Sequence, residues 1–330
     1  MQLLRELRRR GLATHSAAWA DAGPLFTEHM LFSGGGLDDA GGSHKLAVIM
    51  HGLLGAGRNL RGFTTELFKR SDATWTTVFV DLRNHGKSSQ RPGLDPPHTL
   101  EAAAKDVIAT VQASWPSGQI DALIGHSLGG KVALEVTKQL GQNGPSDGNQ
   151  LPPLPRQVWC LDSIPGKVPE GVSDDVSAVI HTINEIPLPI PSREWLFAEL
   201  NRRGHQNKGF QQWLASNLRL NGNKNEYEWA FNVAGATEMF ESYKKNEYWN
   251  LLRSPPQLKT EIHLVKAMKG GRWNKGGNDM ADRLFELEKE VKKNPSSRFH
   301  VHEMPHVGHW LHAEDPTGVA NLLAPHILKL

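Results

Sequence analysis

The stretch IDALIGHSLGGKVALEVTKQL, Ile120 to Leu140, constrains the fold more than any other part of the chain. It begins as a short apolar run of β type, and from Leu128 onward its apolar residues recur at helical spacing. The two patterns meet at Gly125-His126-Ser127-Leu128-Gly129, which leaves no length for a loop. A strand that turns directly into a helix packs closely against it, and glycines at 125 and 129 remove the Cβ atoms that would obstruct this. The turn holds Ser127 at a helix N-terminus, where free N–H groups and the helix dipole favour developing negative charge.

Further strand-like runs are read at 45–51, 75–81, 120–125, 157–162, 261–267 and 297–303, with an earlier one around 25–32. Helical periodicity covers 99–114, 128–140, 279–293 and 315–329. This alternation predicts an α/β fold with a mostly parallel central sheet flanked by helices. The near-continuous apolar content of the strands fits a sheet covered on both faces. Two segments interrupt the alternation. Residues 141–157 are rich in Gly, Pro, Asn and Ser and read as a solvated insertion. Residues 167–256 show helical patterns without a convincing strand and carry Trp195, Trp213, Trp229 and Trp249. They read as an inserted helical lid between core segments 25–166 and 257–330, with a plain second subdomain as the alternative. A length of 330 residues suits one large α/β domain with such an insertion.

Charge is placed unevenly. Arg5, Arg8, Arg9 and Arg10 face one acid, Glu6, within residues 1–20, and the remainder of the chain is close to neutral. No basic surface for nucleic acid is expected. Leu3, Leu4 and Leu7 would share one face of a helix with arginines opposite, which reads as a mitochondrial presequence over 1–20. An ordinary amphipathic N-terminal helix, and with it a cytoplasmic protein, is the alternative. No apolar run reaches the length of a membrane span, so no integral membrane segment is expected. The single cysteine, Cys160, excludes an internal disulfide framework. The sequence sets no oligomeric state.

A serine becomes a nucleophile only with a base beside it and an acid to orient that base. In sheets of this kind the order is Ser, then Asp or Glu, then His. The last strand runs into HEMPHVGHWLHAEDP, where His309 follows Gly308 and is the expected base. His306 and His312 are its rivals, otherwise read as solvated or hydrogen-bonded surface histidines. His302 to His306 also matches the zinc pattern H-E-x-x-H, which works only on a helix. Pro305 inside such a helix would cost roughly 3 kcal/mol, so no metal is expected there. The oxyanion needs two backbone N–H groups, expected from Leu128, next to Ser127, and from Leu53 in HGLLGAGRNL. Those glycines do not form a phosphate loop, because no Gly-Lys-Ser/Thr follows them.

HGLLGAGRNL, VDLRNHGKSS, GHSLGGKVAL, LDSIPG and GHWLHAEDP, in that order, resemble the motif series of one branch of the α/β-hydrolases. That branch contains the mitochondrial alpha/beta hydrolase domain-containing protein 11, small bacterial esterases and the yeast ethanol acetyltransferases. The resemblance spans about 45–166 and 257–330, not the insertions. It implies an α/β-hydrolase fold without a cofactor or metal, acting on a small-molecule acyl ester or thioester. It also implies that Asp81, Arg83 and His85 shape the loop beside the site and take no part in chemistry. The triad acid is expected at Asp162, where relatives of this branch carry it. Many α/β-hydrolases place the acid after the strand read at 261–267, but MKGGRWNKGGNDM has no carboxylate before Asp279, which is expected to cap the next helix. A turn-capping role before Pro165 is the alternative for Asp162. The reading is a serine hydrolase of carboxylic esters or thioesters through an acyl-enzyme on Ser127. Alcohol acyl transfer with the same triad and a non-catalytic binding protein of this fold are the alternatives. Dehalogenase and epoxide hydrolase chemistry is disfavoured, since the elbow carries a serine where those enzymes use aspartate.

Overall fold

The computed structural model describes residues 12–13, 23–32, 44–115, 119–142, 151–172, 174–222, 225–254 and 260–330. The strands are β1 (Leu12–Ala13), β2 (Thr27–Phe32), β3 (His44–Met50), β4 (Thr74–Val80), β5 (Ala122–His126), β6 (Gln157–Leu161), β7 (Leu218–Leu220), β8 (Tyr227–Trp229), β9 (Glu261–Ala267) and β10 (Phe299–Met304). The helices are α1 (Arg61–Phe68), α2 (Leu100–Ser114), α3 (Leu128–Gln142), α4 (Asp174–Glu185), α5 (Arg193–Arg202), α6 (Lys208–Ser216), α7 (Val233–Lys245), α8 (Trp249–Arg253), α9 (Asp279–Lys292), α10 (Leu311–Glu314) and α11 (Pro316–Ile327).

Eight strands form one sheet in the order β1-β2-β4-β3-β5-β6-β9-β10. From β4 to β10 every pairing is parallel, while β1 and β2 run antiparallel at one edge. The chain leaves β3 for β4 on one side and returns to β5 on the other. That reversal opens a crevice at the carboxyl ends of β3 and β5, where open α/β sheets bind ligands.

Side chains of β3 show why the strands read as unbroken apolar runs. Leu46, Val48 and Met50 join the core beneath α2 and α3, whereas Ala47 and Ile49 join the core beneath α1 and α11. Both faces are covered, so alternation in space leaves no alternation in polarity. Helix starts are capped by side chains, for example Thr99 accepting from Ala102 N and Asp315 accepting from Gly318 N.

Three expectations change. Helix α1 has no counterpart in the sequence reading, and the insert contains a short antiparallel pair, β7 with β8. The cap of α9 is Asn278, whose side chain accepts from Ala281 N, and Asp279 is the first helical residue. The insert packs a core of its own around Leu196, Leu200, Leu214 and Trp229, joined by Leu54 from the loop after β3. Of the expected presequence, Leu12–Ala13 pair with β2, and the rest lies outside the described residues, as does 143–150 of the polar insertion. Among the described residues no helix is long and apolar enough to cross a membrane.

Candidate active site

Ser127 sits between β5 and α3 with φ +52°, in the left-handed region that non-glycine residues seldom occupy. Its neighbours show what holds it there. A Cβ on Gly125 would lie 2.1 Å from Gly129 O, and one on Gly129 would lie 2.5 Å from Met50 O. Backbone atoms of strand and helix therefore touch where the sequence has glycine. Ser127 N donates to Leu161 O at 2.9 Å, and Ser163 Oγ donates to Ser127 O at 2.7 Å, which ties the turn to β6.

The HGLLGAGRNL loop meets the same turn. A Cβ on Gly52 would stand 3.3 Å from Ser127 Cβ and 2.8 Å from His126 Nδ1. His51 locks this loop, its Nδ1–H donating to Gly52 O at 2.7 Å and its Nε2 accepting from Leu82 N at 3.0 Å. Burial pulls His51 down to about 4, which suits a neutral ring that donates on one side and accepts on the other. Leu53 and Leu128 line one cavity with Ser127 and His309.

Asp162 lies behind His309, buried at the end of β6 with φ +46°. Its two oxygens accept in pairs. Oδ1 takes Ala267 N at 2.9 Å and Trp273 Nε1 at 2.6 Å. Oδ2 takes His309 Nδ1 at 2.7 Å and Arg272 Nη1 at 3.3 Å. Burial alone would raise this carboxyl, but the bond from His309 and the charges of His309 and Arg272 hold it below its ordinary value. The strand from which many α/β-hydrolases take their acid thus supplies donors here, with Asp162 reaching across from β6. Arg272 and Trp273 were visible in MKGGRWNKGGNDM, but a search of that loop for carboxylates passes over them.

Two further histidines lie here: His126, which the sequence reading gave no role, and His312, which it offered as a rival base. The His126 ring packs between those of His309 and His312, with centroids 4.8 and 4.4 Å away, and its Nε2–H donates to His309 O at 2.7 Å. His312 is therefore buried, correcting its reading as a surface residue, and burial with the adjacent His309 pulls it down to about 3. Burial, then His312 and His309, lowers His126 well below its ordinary value. Both rings stay neutral, and His126 braces the backbone that carries His309. His306 is exposed and does not line the cavity.

The VDLRNHGKSS segment lies off the cavity. Asp81 accepts from Gly57 N and Lys87 N at 2.8 and 2.9 Å, and Arg83 pairs with Asp106 at 2.6 Å. Lys87 lies over the ring of Phe26, with Nζ 4.4 Å from its centroid.

The cavity measures about 190 Å³. Its far wall comes from the insert: Val168, Val172, Val176, Val179, Phe210, Trp213 and Phe240. Trp310, about one-third exposed, stands at this lining beside Phe210 and Trp213. His302 lies in β10, so His302 and His306 do not share the face of a helix, and the zinc reading of HEMPH has no helix to stand on.

A parallel sheet with a serine held at positive φ between strand and helix, sharing one cavity with a histidine bonded to an aspartate, is the arrangement of an α/β-hydrolase. The chain belongs to the alpha/beta hydrolase family, whose model matches residues 47–322. It is 25% identical over 282 residues to Esterase YbfF of Escherichia coli, covering 85% of this chain and 92% of that protein. It is 25% identical over 287 residues to the sn-1-specific diacylglycerol lipase ABHD11 of Danio rerio, covering 84% of this chain and 77% of that one. Among solved structures, a marine microorganism esterase superposes with a TM-score of 0.67 at 20% identity, covering 91% of this chain and 98% of the other. The protein is accordingly a hydrolase related to esterases and lipases.

Proposed function

We propose that the protein is a serine hydrolase of carboxylic esters, acting through an acyl-enzyme on Ser127. Ser127 Oγ attacks the acyl carbonyl while its proton passes to His309 Nε2. Backbone N–H groups of Leu53 and Leu128 hold the oxyanion that results. The intermediate collapses, the C–O bond to the leaving group breaks, and His309 returns the proton to the departing alcohol. A water then gives its proton to His309 and attacks the acyl-serine, releasing the acid and restoring Ser127. Asp162 keeps the Nδ1–H of His309 pointed inward and stabilises the imidazolium in each half-reaction.

The observation that carries this reading is the 2.7 Å bond between Asp162 and His309, whose ring shares a cavity with the strained Ser127. The valine and aromatic wall favours esters with an apolar acyl group. Two relatives named as diacylglycerol lipases make a glycerolipid ester a fitting member of that class. Thioesters follow the same steps with a thiolate as leaving group. The insert over 167–256 acts as the lid on this cavity, and residues 1–20 act as a mitochondrial address.

The test is fluorophosphonate labelling and hydrolysis of p-nitrophenyl butyrate by the wild type and Ser127→Ala. Labelling is expected to vanish and kcat to fall on the order of 10⁴- to 10⁶-fold. Undiminished labelling of the variant would place the nucleophile elsewhere. Adding ethanol to the same assay separates hydrolysis from alcohol acyl transfer, because only transfer yields the ethyl ester. Fusing residues 1–20 to a fluorescent reporter tests the address, and a diffuse cytosolic signal refutes it.

A further inference from the structure

At the opposite end of the sheet from Ser127, one face carries a group of side chains that ester hydrolysis does not use. His263 in β9 stands directly across from His300 in β10 and from Trp159 in β6. Glu261 precedes His263 by two residues and His302 follows His300 by two, so all point to one face. His263 is fully buried, its ring stacked on Trp159 with centroids 3.9 Å apart and planes 7° apart.

The two nitrogens of His263 are treated differently. Nδ1 lies 3.0 Å from His302 Nε2, a hydrogen bond. Nε2 is buried without a hydrogen-bond partner among the described residues, and the nearest carboxylate oxygen, Glu261 Oε2, is 3.6 Å away. If Nδ1 carries the hydrogen, donated to His302, Nε2 presents a bare lone pair towards Glu261. A buried polar atom without a partner calls for an explanation, and a bound ion is one.

We propose that Glu261, His263 and His300 form a binding site for a divalent transition metal of the zinc class. One donor atom from each lies within 4.8 Å of the other two. Ligands about 2.0–2.1 Å from a zinc ion stand about 3.4 Å apart in a tetrahedron, so the site closes by small rotations of Glu261 and His300. Both are half-buried: Glu261 keeps one hydrogen bond from Gln157 and lies 3.9 Å from Arg298 Nη1, and His300 rests on the His263 ring with centroids 4.8 Å apart, whereas His263 is held from its other face by the Trp159 stack. Two nitrogens and a carboxylate oxygen suit zinc, nickel or copper and disfavour calcium or magnesium, which take oxygen ligands.

The surroundings orient the ligands as the outer shell of a metal site does. Trp159 Nε1 donates to Gln157 Oε1 at 3.1 Å, and Gln157 Nε2 donates to Glu261 Oε2 at 3.0 Å. His302 holds the His263 ring at Nδ1 from the other side. The site lies remote from the ester chemistry. On β9 Asp162 is met by Val265 O and, through its carboxylate, by Ala267 N, and Ala267 stands four positions along the strand from His263, about 13 Å away. The metal clamps β9 to β10 and takes no part in the reaction.

Calorimetry with zinc chloride on full-length protein stripped with EDTA tests this, together with the thermal unfolding midpoint with and without zinc. The wild type is expected to bind one zinc ion with micromolar or tighter affinity and to unfold at a higher temperature when loaded. Glu261→Gln and His300→Gln should each weaken binding at least about tenfold, with ester hydrolysis unchanged. His300→Cys, which keeps a zinc donor at that position, should restore binding and so separates loss of a ligand from loss of structure. Weaker than micromolar binding by the wild type, or equally tight binding by both glutamine variants, would overturn the proposal. The second result would assign the zinc to the histidines around Ser127.

Discussion

Asp162→Asn gives the sharpest test of the site. The substitution is nearly isosteric, but the four donors around the carboxylate dictate how the amide must lie. Ala267 N and Trp273 Nε1 can only donate, and both point at Oδ1. Turning the amide so that its NH₂ faced them would strand two buried donors, at about 1–3 kcal/mol each. The amide oxygen therefore stays on that side, and the NH₂ replaces Oδ2 opposite His309 Nδ1. Nδ1 must then accept, which moves the imidazole proton to Nε2 and leaves no lone pair for the Ser127 proton. The carboxylate charge that stabilises the imidazolium is lost as well. The expected fall in kcat is about 10⁴-fold, equivalent to about 5.5 kcal/mol in the barrier. The assay is kcat on p-nitrophenyl butyrate near neutral pH, with the urea midpoint measured alongside to show that the variant folds. Asp279→Asn is the control: Asp279 is exposed in the first turn of α9, behind the cap residue Asn278, and its loss should leave kcat unchanged. A folded Asp162→Asn variant with kcat within tenfold of the wild type would refute the orienting role.

Two further outcomes follow from buried polar groups. Lys131 Nζ donates to Gly166 O, Tyr243 O and Asn246 O at 2.7, 2.5 and 2.8 Å, so it fastens α3 to the end of α7. Lys131→Met strands those carbonyls and should lower unfolding stability by roughly 3 kcal/mol; an unchanged urea midpoint would show that the contact is idle. His51, His85 and His312 are lowered to about 4, 3 and 3, chiefly by burial. The unfolded chain therefore binds protons that the folded one refuses as pH drops below about 6.5, and each histidine removes up to about 1.4 kcal/mol per pH unit until its folded value is reached. Stability should be full above pH 6.5 and fall steeply towards pH 4, and His312→Asn should make that fall shallower. An equally steep profile in the variant would remove His312 from the account.

The elbow shows how far local pattern reaches. Glycine at 125 and 129 around Ser127 declares a close strand–helix contact, because no other residue lacks the Cβ that the contact excludes. The strand and helix periods likewise mark the parallel sheet, since each depends only on which neighbours along the chain face the same way. Asp162 was legible only through its motif: nothing local distinguishes an aspartate that ends a strand from one that caps a turn. Helix α1 escaped notice because its apolar positions lie in a short segment between the loop glycines and the turn before β4.

Long-range register is what the sequence left open. Arg272 and Trp273 reach Asp162 because the loop after β9 folds back over the end of β6, a contact across about 110 residues that no periodicity encodes. The facing of His263 and His300 depends on how β9 and β10 slide past each other, and a slip of one residue would send one of them to the opposite face. Lys131 reads as an ordinary helix lysine until α7 closes over it. The sequence by itself determined the strand–helix alternation and the strained serine, because both follow from backbone geometry over a few residues. Tertiary structure decided what surrounds Asp162, which histidines are buried neutral and which side chains share a sheet face, because those depend on packing between segments that the chain brings together only once it is folded.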